Sequence, residues 1–394
     1  MIQRFRVQNY KALRDVTLDL TPMHVLIGPN DTGKTSLLEA LAAICRSADH
    51  ELPQTFLGPW DGGVLVWKHH RDLPIQLAVE GSIGTIPIVY KLDCGFPEHG
   101  RGVINAHEHA EMGAPPEIVD LTLQGVGTTG ARYFAQFGKG SQAQQNAARS
   151  VQQFIHGVQY CRWDARLLAL PVVPQAQRQF RMEPSGFGLA LCLDDILGYE
   201  RDRFDQLEQR FTRLFPQVRS IVLVRQPGYS APVDDPDMIP KLQAADGKGI
   251  YLRFKDSSEV PAAHISDGML LVLAYITVLY LPQPPRVLLV EEPENGVHPK
   301  RLQDVLSILR ELVKEQICTQ VLLTTHSPYV VDLFKPEDVT LCRKDSDGAV
   351  SVHRLSESKT VREQLDVFTL GEIWTAEGDD ALAKKDDAVE GAAP

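Results

Sequence analysis

Lys34 and Thr35 close the run Gly28-Pro29-Asn30-Asp31-Thr32-Gly33-Lys34-Thr35, which fits the pattern G-x-x-x-x-G-K-[ST] at every fixed position. The chemistry this spacing can do is anion capture. Backbone N–H groups of a glycine-permissive loop, and the positive end of the helix that follows, converge on nucleotide phosphates. Lys34 adds a point charge toward the β- and γ-phosphates, and the Thr35 hydroxyl is placed to ligate Mg²⁺. The candidate nucleotide-binding residues are Gly28, Pro29, Asn30, Asp31, Thr32, Gly33, Lys34, Thr35 and Ser36. A second chemical pair ends the run Val287-Leu288-Leu289-Val290-Glu291-Glu292. Glu291 would hold the metal and Glu292 would orient or deprotonate an attacking water. Strands often end in acids, so this pair gains meaning only beside the phosphate loop. Leu322-Leu323-Thr324-Thr325-His326-Ser327-Pro328 delivers a histidine at a strand end, where ligands bind in open α/β sheets. His326 could contact the γ-phosphate, although a lone histidine there is more often structural.

These residues need a scaffold, and the flanking patterns supply it. Val25-Leu26-Ile27 reads as a buried strand entering the loop, and Leu37, Leu38, Leu41, Ile44 and Cys45 follow at helical spacing. Leu302, Val305, Leu306, Leu309 and Leu312 share one helix face between the acids and His326. That strand–helix–strand crossover predicts a parallel sheet. Upstream, Ser266 reads as the N-cap of an apolar helix, with Asp267 and Gly268 at its positive end. Taken alone, this segment is an ordinary capped helix.

Elsewhere, residues 2 to 27 alternate as strands, and Ile75–Val79 and Ile86–Leu92 read as a strand pair. Residues 50–74 look irregular and 95–115 read as loop. Phe204, Leu207, Phe211 and Leu214 form one helix face ended by Pro216, and Ile221–Val224 is a further strand. The expected organisation is a lobe at 1–135, a mainly helical insertion at 136–248, a second lobe at 249–375 and a disordered tail at 376–394.

The chain has 394 residues, 43% hydrophobic and 23% charged, with a formal charge of −11. That balance fits a globular protein and gives no overall attraction for nucleic acid, leaving only local basic patches. The six cysteines form no C-x-x-C pair and read as reduced, buried thiols of a cytoplasmic protein. Met1-Ile2-Gln3-Arg4 lacks a signal core, and Met269–Leu281 is too short to span a bilayer. No membrane segment is expected. His107-Glu108-His109 puts two imidazoles on one side of an extended chain, but its Ala and Gly neighbours favour a solvated loop over a metal site.

In this order the motifs resemble those of ABC-type ATPases, in the compact branch shared by SMC proteins, recombination mediators and the OLD-like AAA family. Gly28–Thr35 resembles Walker A, Ser266-Asp267-Gly268 the signature, Val287–Glu292 Walker B, Asn295-Gly296 the D-loop and His326 the switch histidine. The wording Glu-Glu-Pro-Glu…His-Pro and Thr-His-Ser-Pro is similar to the OLD-like family in particular. The resemblance covers roughly residues 1 to 45 and 155 to 375. It implies an α/β P-loop ABC-type ATPase head with a mixed-sheet lobe and an inserted helical lobe. It also implies ATP and Mg²⁺ as cofactors, with Thr35 and Glu291 on the metal and Glu292 and His326 catalytic. Two copies would form a homodimer around ATP, Ser266, Asp267 and Gly268 acting on the partner's nucleotide. For the Q-loop, Gln159-Tyr160-Cys161-Arg162-Trp163-Asp164 is the candidate, against the simpler reading of a strand end.

Two departures narrow the expectation. The signature is Ile-Ser-Asp-Gly and not the Leu-Ser-Gly-Gly-Gln of membrane transporters, and Glu291 stands where Asp is usual. His326 is followed by 68 residues (394 minus 326), too few for the Toprim nuclease of full-length OLD proteins. The expected function is an ATP-hydrolysing switch that regulates a separately encoded effector, a nuclease by preference, in antiphage defence or DNA repair. The rivals are a stand-alone DNA-end binder and a nucleotide-gated scaffold without turnover.

Overall fold

Along Ile2–Tyr10, Ile2, Phe5, Val7, Asn9 and Tyr10 are buried while Gln3, Arg4 and Arg6 are exposed, the pattern of a strand with one face on a core. The computed structural model describes residues 1–56, 62–70, 72–96, 105–123, 127–174, 180–230, 240–314 and 319–384. The chain divides into two units, residues 1–158 with 320–394, and residues 159–319.

The first unit holds an antiparallel sheet in the order Leu13–Asp19, Ile2–Tyr10, Ile75–Ile83, Ile86–Gly95, Asn105–Met112, Glu117–Asp120. Its inner face carries Phe5, Val7, Leu77, Val79, Tyr90 and Leu92, all buried. The helix Gln142–Ile155 buries Ala147, Ala148, Val151 and Ile155, and its Ser141–Gln144 capping box satisfies the first orphan amides. A second group of strands runs Val350–Arg354, Val339–Lys344, Met23–Ile27, Gln320–Thr324. The last three are mutually parallel, and Met23–Ile27 is buried throughout, as a parallel strand covered on both faces requires. His24 sits inside that strand between the Thr21 and Thr340 hydroxyls, at 3.2 and 2.9 Å, and burial lowers its pKa to about 3, which keeps it neutral.

The second unit packs the helices Leu189–Tyr199, Arg201–Leu214, Asp267–Leu279 and Pro299–Val313 with the antiparallel strands Val218–Ser230, Lys241–Phe254 and Glu259–Pro261. Val287–Glu291 pairs beside the short strand ending at Cys161. Leu270 to Leu279 are all buried, so the longest apolar stretch is a helix sunk in protein on every side. Among the described residues no helix is long and apolar enough to cross a membrane.

Three expectations change. The helical insertion at 136–248 is not a unit: 136–158 belongs with the antiparallel sheet, and 218–254 contributes two strands of 13 and 14 residues. Their register, Ile221 on Leu252 and Leu223 on Ile250, pairs apolar positions that local periodicity could not connect. The loop expected at 95–115 contains the strand Asn105–Met112, in which Ala106, Glu108 and Ala110 turn inward opposite Cys94, Leu92 and Tyr90. Tertiary position overrides the low β-propensity of that run. The tail expected from 376 begins as helix, since Leu370–Leu382 is capped by Thr369 and Glu372 and buries Ile373 and Leu382. Residues 385–394 lie outside the described set.

Glu108 yields the first prediction. Its carboxyl is 2% exposed and accepts hydrogen bonds from Gly130 N–H, Ala131 N–H (3.2 Å) and Tyr90 O–H (2.9 Å). Burial outweighs those donors and pushes its pKa up to about 7. The folded state therefore holds this proton more tightly than the unfolded chain. The stability it contributes is complete below the unfolded pKa and is lost as pH rises through about 7. A loss of about 3 kcal/mol is expected between roughly pH 4.5 and 7.5. Glu108→Gln removes the titration and keeps one acceptor oxygen for the Gly130 amide, while its NH2 group can donate to Tyr90 Oη in place of the oxygen that accepted from Tyr90 and Ala131. Urea midpoints measured across that range should slope for the parent and flatten for the variant. Equal slopes would place the effect elsewhere.

Candidate functional site

In the first unit the loop leaves Ile27 and turns at Gly28 (φ +131), where a Cβ would lie 2.3 Å from the Cys342 carbonyl. Gly33 (φ +82) is equally constrained, since a Cβ would meet Val350 Cγ2 at 2.6 Å. Both glycines are thus demanded by conformation and by space. Thr32 Oγ1 donates to the Pro29 carbonyl at 2.8 Å and Lys344 pairs with Asp31 at 2.7 Å, tying down the loop's crest. The helix Lys34–Arg46 starts at Gly33 with no acidic residue in its first turn, so its orphan amides meet no carboxylate of their own. Lys34 Nζ donates to the carbonyls of Gly28 (2.8 Å) and Pro29 (2.7 Å), inside the curve of the loop. Thr35 is exposed and Ser36 half-buried on the first turn.

Gln320–Thr324 lies parallel to Met23–Ile27 with Thr324 opposite Leu26, and Thr325 N–H donates to the Leu26 carbonyl at 3.1 Å. His326 therefore emerges at the same strand end as the phosphate loop, half-buried beside it. The parallel register brings together residues about 300 positions apart, and that register is what a switch role needs.

The second unit carries the acids. Val287–Val290 are buried and Glu291 ends the strand with its side chain 11% exposed. Tyr160 Oη donates to Glu291 Oε1 at 2.5 Å, and Arg162 Nε stands 3.5 Å from Oε2. Glu292 follows in the left-handed region (φ 45), a conformation costing about 1–3 kcal/mol that the surroundings must impose. Asn295 imposes it, donating its side-chain amide to Glu292 Oε2 at 2.6 Å and its backbone N–H to the Glu292 carbonyl at 2.9 Å. Both carboxylates line a cavity of about 210 Å³ with Arg162, Trp163, Tyr275 and Asn295. Trp163 packs against Tyr275 with ring centroids 4.8 Å apart and planes tilted by 46°, and its indole N–H is buried without a hydrogen-bond partner. Two carboxylates and an orphan donor around a space with room for several waters suit a hydrated cation and the water beside it.

Ser266, Asp267 and Gly268 begin the helix Asp267–Leu279. Ser266 stands at the N-cap position but its hydroxyl caps nothing, so the expected side-chain cap is absent and the exposed hydroxyl faces outward. A Cβ on Gly268 would lie 3.3 Å from the Gly296 carbonyl, which puts the signature turn directly on Asn295-Gly296. In the stretch Gln159–Asp164, alternation along the strand sends Tyr160 and Arg162 to Glu291 while Gln159 is buried with its Nε2 unpartnered. Sequence reasoning missed both of these partners of Glu291. His107 and His109 share the outer face of their strand, and among the described residues no cluster of metal-ligating side chains occurs.

Residues 1–77 match the family described as "AAA ATPase domain", and residues 196–332 the family described as "AAA domain, putative AbiEii toxin, Type IV TA system". A curated relative, the OLD nuclease of Thermus scotoductus, is 24% identical over 99% of this chain and 72% of its own length. Similar solved structures include an Smc head bound to the C-winged helix domain of ScpA, with TM-score 0.49 and 12% identity over 89% of this chain and 97% of that one. The SMC head domain from Thermotoga maritima gives TM-score 0.37 and 11% identity over 90% and 98%. Two stretches of the chain thus match AAA-type ATPase families, and nearly its whole length is similar to an OLD nuclease.

Proposed function

We propose that this chain binds ATP with Mg²⁺, dimerises around it and hydrolyses it, and that the cycle controls a separately encoded effector in the cytoplasm. The observation that carries this reading is the loop at Gly28–Thr35, whose backbone admits only glycine at two positions and curls around the Lys34 ammonium. Phosphate oxygens would take the place of the Gly28 and Pro29 carbonyls on Lys34, and the amides of the helix's first turn would receive the remaining negative charge. Thr35 and Glu291 would hold the metal, which offsets phosphate charge when bound. For that, Glu291 exchanges its contacts with Tyr160 and Arg162. Glu292, held by Asn295, takes the proton of the attacking water. Ser266 and Asp267, exposed on the second unit, would close with Gly268 on the partner subunit's nucleotide. A nuclease effector is favoured because the relative is an OLD nuclease.

The test is sedimentation of Glu292→Gln, which should retain ATP. A dimer with Mg-ATP and a monomer with Mg-ADP are expected. A monomer under both conditions would sink the sandwich.

A further inference from the structure

The outer face of the antiparallel sheet neutralises its cations in place. Arg4 pairs with Asp19 and Glu80, Arg6 with Asp15, and Lys91 with Glu111. One end of that face departs from the pattern. There a cavity of about 630 Å³ is lined by Gln8, Asn9, Arg14, Trp67, Lys68 and His70, with Asp15 as its carboxylate. Asp15 is already taken by Arg6 (3.0 Å) and Gln8 (2.8 Å). Arg14 and Lys68, both exposed, make no ion pair or hydrogen bond with any described residue. Lys68 Nζ instead lies 5.0 Å from the Trp67 ring centroid. Two cations without a carboxylate partner thus line one groove, beside the His70–Asp72 contact of 3.8 Å, on a chain whose formal charge is −11.

The groove is also built. Lys11 N–H donates to the Leu65 carbonyl at 2.6 Å and Val66 bridges to Tyr10, which fastens the Trp67 segment to the sheet. Lys68 and His69 are held at φ 46 and φ 63. Asn9 is 7% exposed; its amide N–H group donates to the Leu73 and Pro74 carbonyls, while its Oδ1 is buried without a partner. An aromatic face and two unpaired cations are the groups that meet a base and its flanking phosphates.

We propose that this groove binds a single-stranded nucleic acid, stacking one base on Trp67 and meeting adjacent phosphates with Arg14 and Lys68. None of these residues belongs to the phosphate loop, so the site stands apart from the ATP reading. The probe is a fluorescein-labelled oligothymidylate of about 20 nucleotides, followed by anisotropy without ATP between about 50 and 200 mM salt. Trp67→Ala should weaken binding about 5- to 150-fold. Arg14→Ala with Lys68→Ala should lower the slope of log affinity against log salt by about 1.4, two phosphate contacts at about 0.7 each. Both cations are exposed, so the double variant leaves the core untouched and should bind ATP as the parent does. No binding by the parent, or an unchanged salt slope in the double variant, would overturn the proposal. Thymidine monophosphate binding as tightly as the oligonucleotide would also overturn it, assigning a free nucleotide in place of a strand.

Discussion

Glu292→Gln is expected to bind Mg-ATP as the parent does and to hydrolyse it about 10²–10⁴-fold more slowly, the usual contribution of a positioned general base. The substituted side chain would keep a carbonyl oxygen for the Asn295 amide, so the left-handed turn after Val287–Glu291 should survive. What disappears is the carboxylate that accepts the water's proton. Phosphate release under steady-state conditions reads the effect, and a parallel binding titration separates turnover from affinity. Parent-like turnover in Glu292→Gln, with the loss appearing only in Glu291→Gln, would reverse the two roles. Asn295→Ala should then act in the same direction more weakly, because the carboxylate remains and only its orientation relaxes.

Lys34→Ala should lose ATP binding with little cost to the fold. Lys34 is 6% exposed, yet its ammonium donates to two carbonyls of the loop itself, contacts that phosphate oxygens can replace. Charge-assisted hydrogen bonds contribute about 1.5–3 kcal/mol each, so losing two to phosphate predicts roughly a 100-fold or greater fall in affinity. Calorimetric titration of ATP measures it directly, and unchanged affinity would rule out the loop as the phosphate site.

The parts of the site legible in the sequence are those written in one short run. Gly28–Thr35 carries its own strand, turn and helix signals, and Val287–Glu292 carries its own buried strand. The rest depends on pairing across the chain. Tyr160 and Arg162 reach Glu291 from about 130 positions away, set by strand adjacency that no local pattern encodes. Asn295 is readable as a D-loop residue, but its grip on Glu292 follows from a left-handed turn that single-residue propensities do not foresee. The strand Asn105–Met112 escapes notice for the opposite reason: its inward residues are Ala, Glu and Ala, so the apolar alternation that marks strands is missing. The helix Leu370–Leu382 is masked by an Ala- and Asp-rich second half that Leu382 nonetheless anchors.

In the proposed dimer each active site is shared, the phosphate loop of one subunit facing Ser266 of the other. The most direct test mixes two inactive variants. Ser266→Arg should leave the fold intact, because Ser266 is exposed and its hydroxyl caps nothing, but should obstruct the partner's phosphates. Lys34→Ala empties its own loop. In a heterodimer of the two, one composite site carries both lesions and the other carries neither. ATPase activity measured on the mixture should rise well above either variant alone, toward half the parent rate per heterodimer. No recovery, with heterodimers demonstrated by sedimentation, would contradict a trans-acting signature.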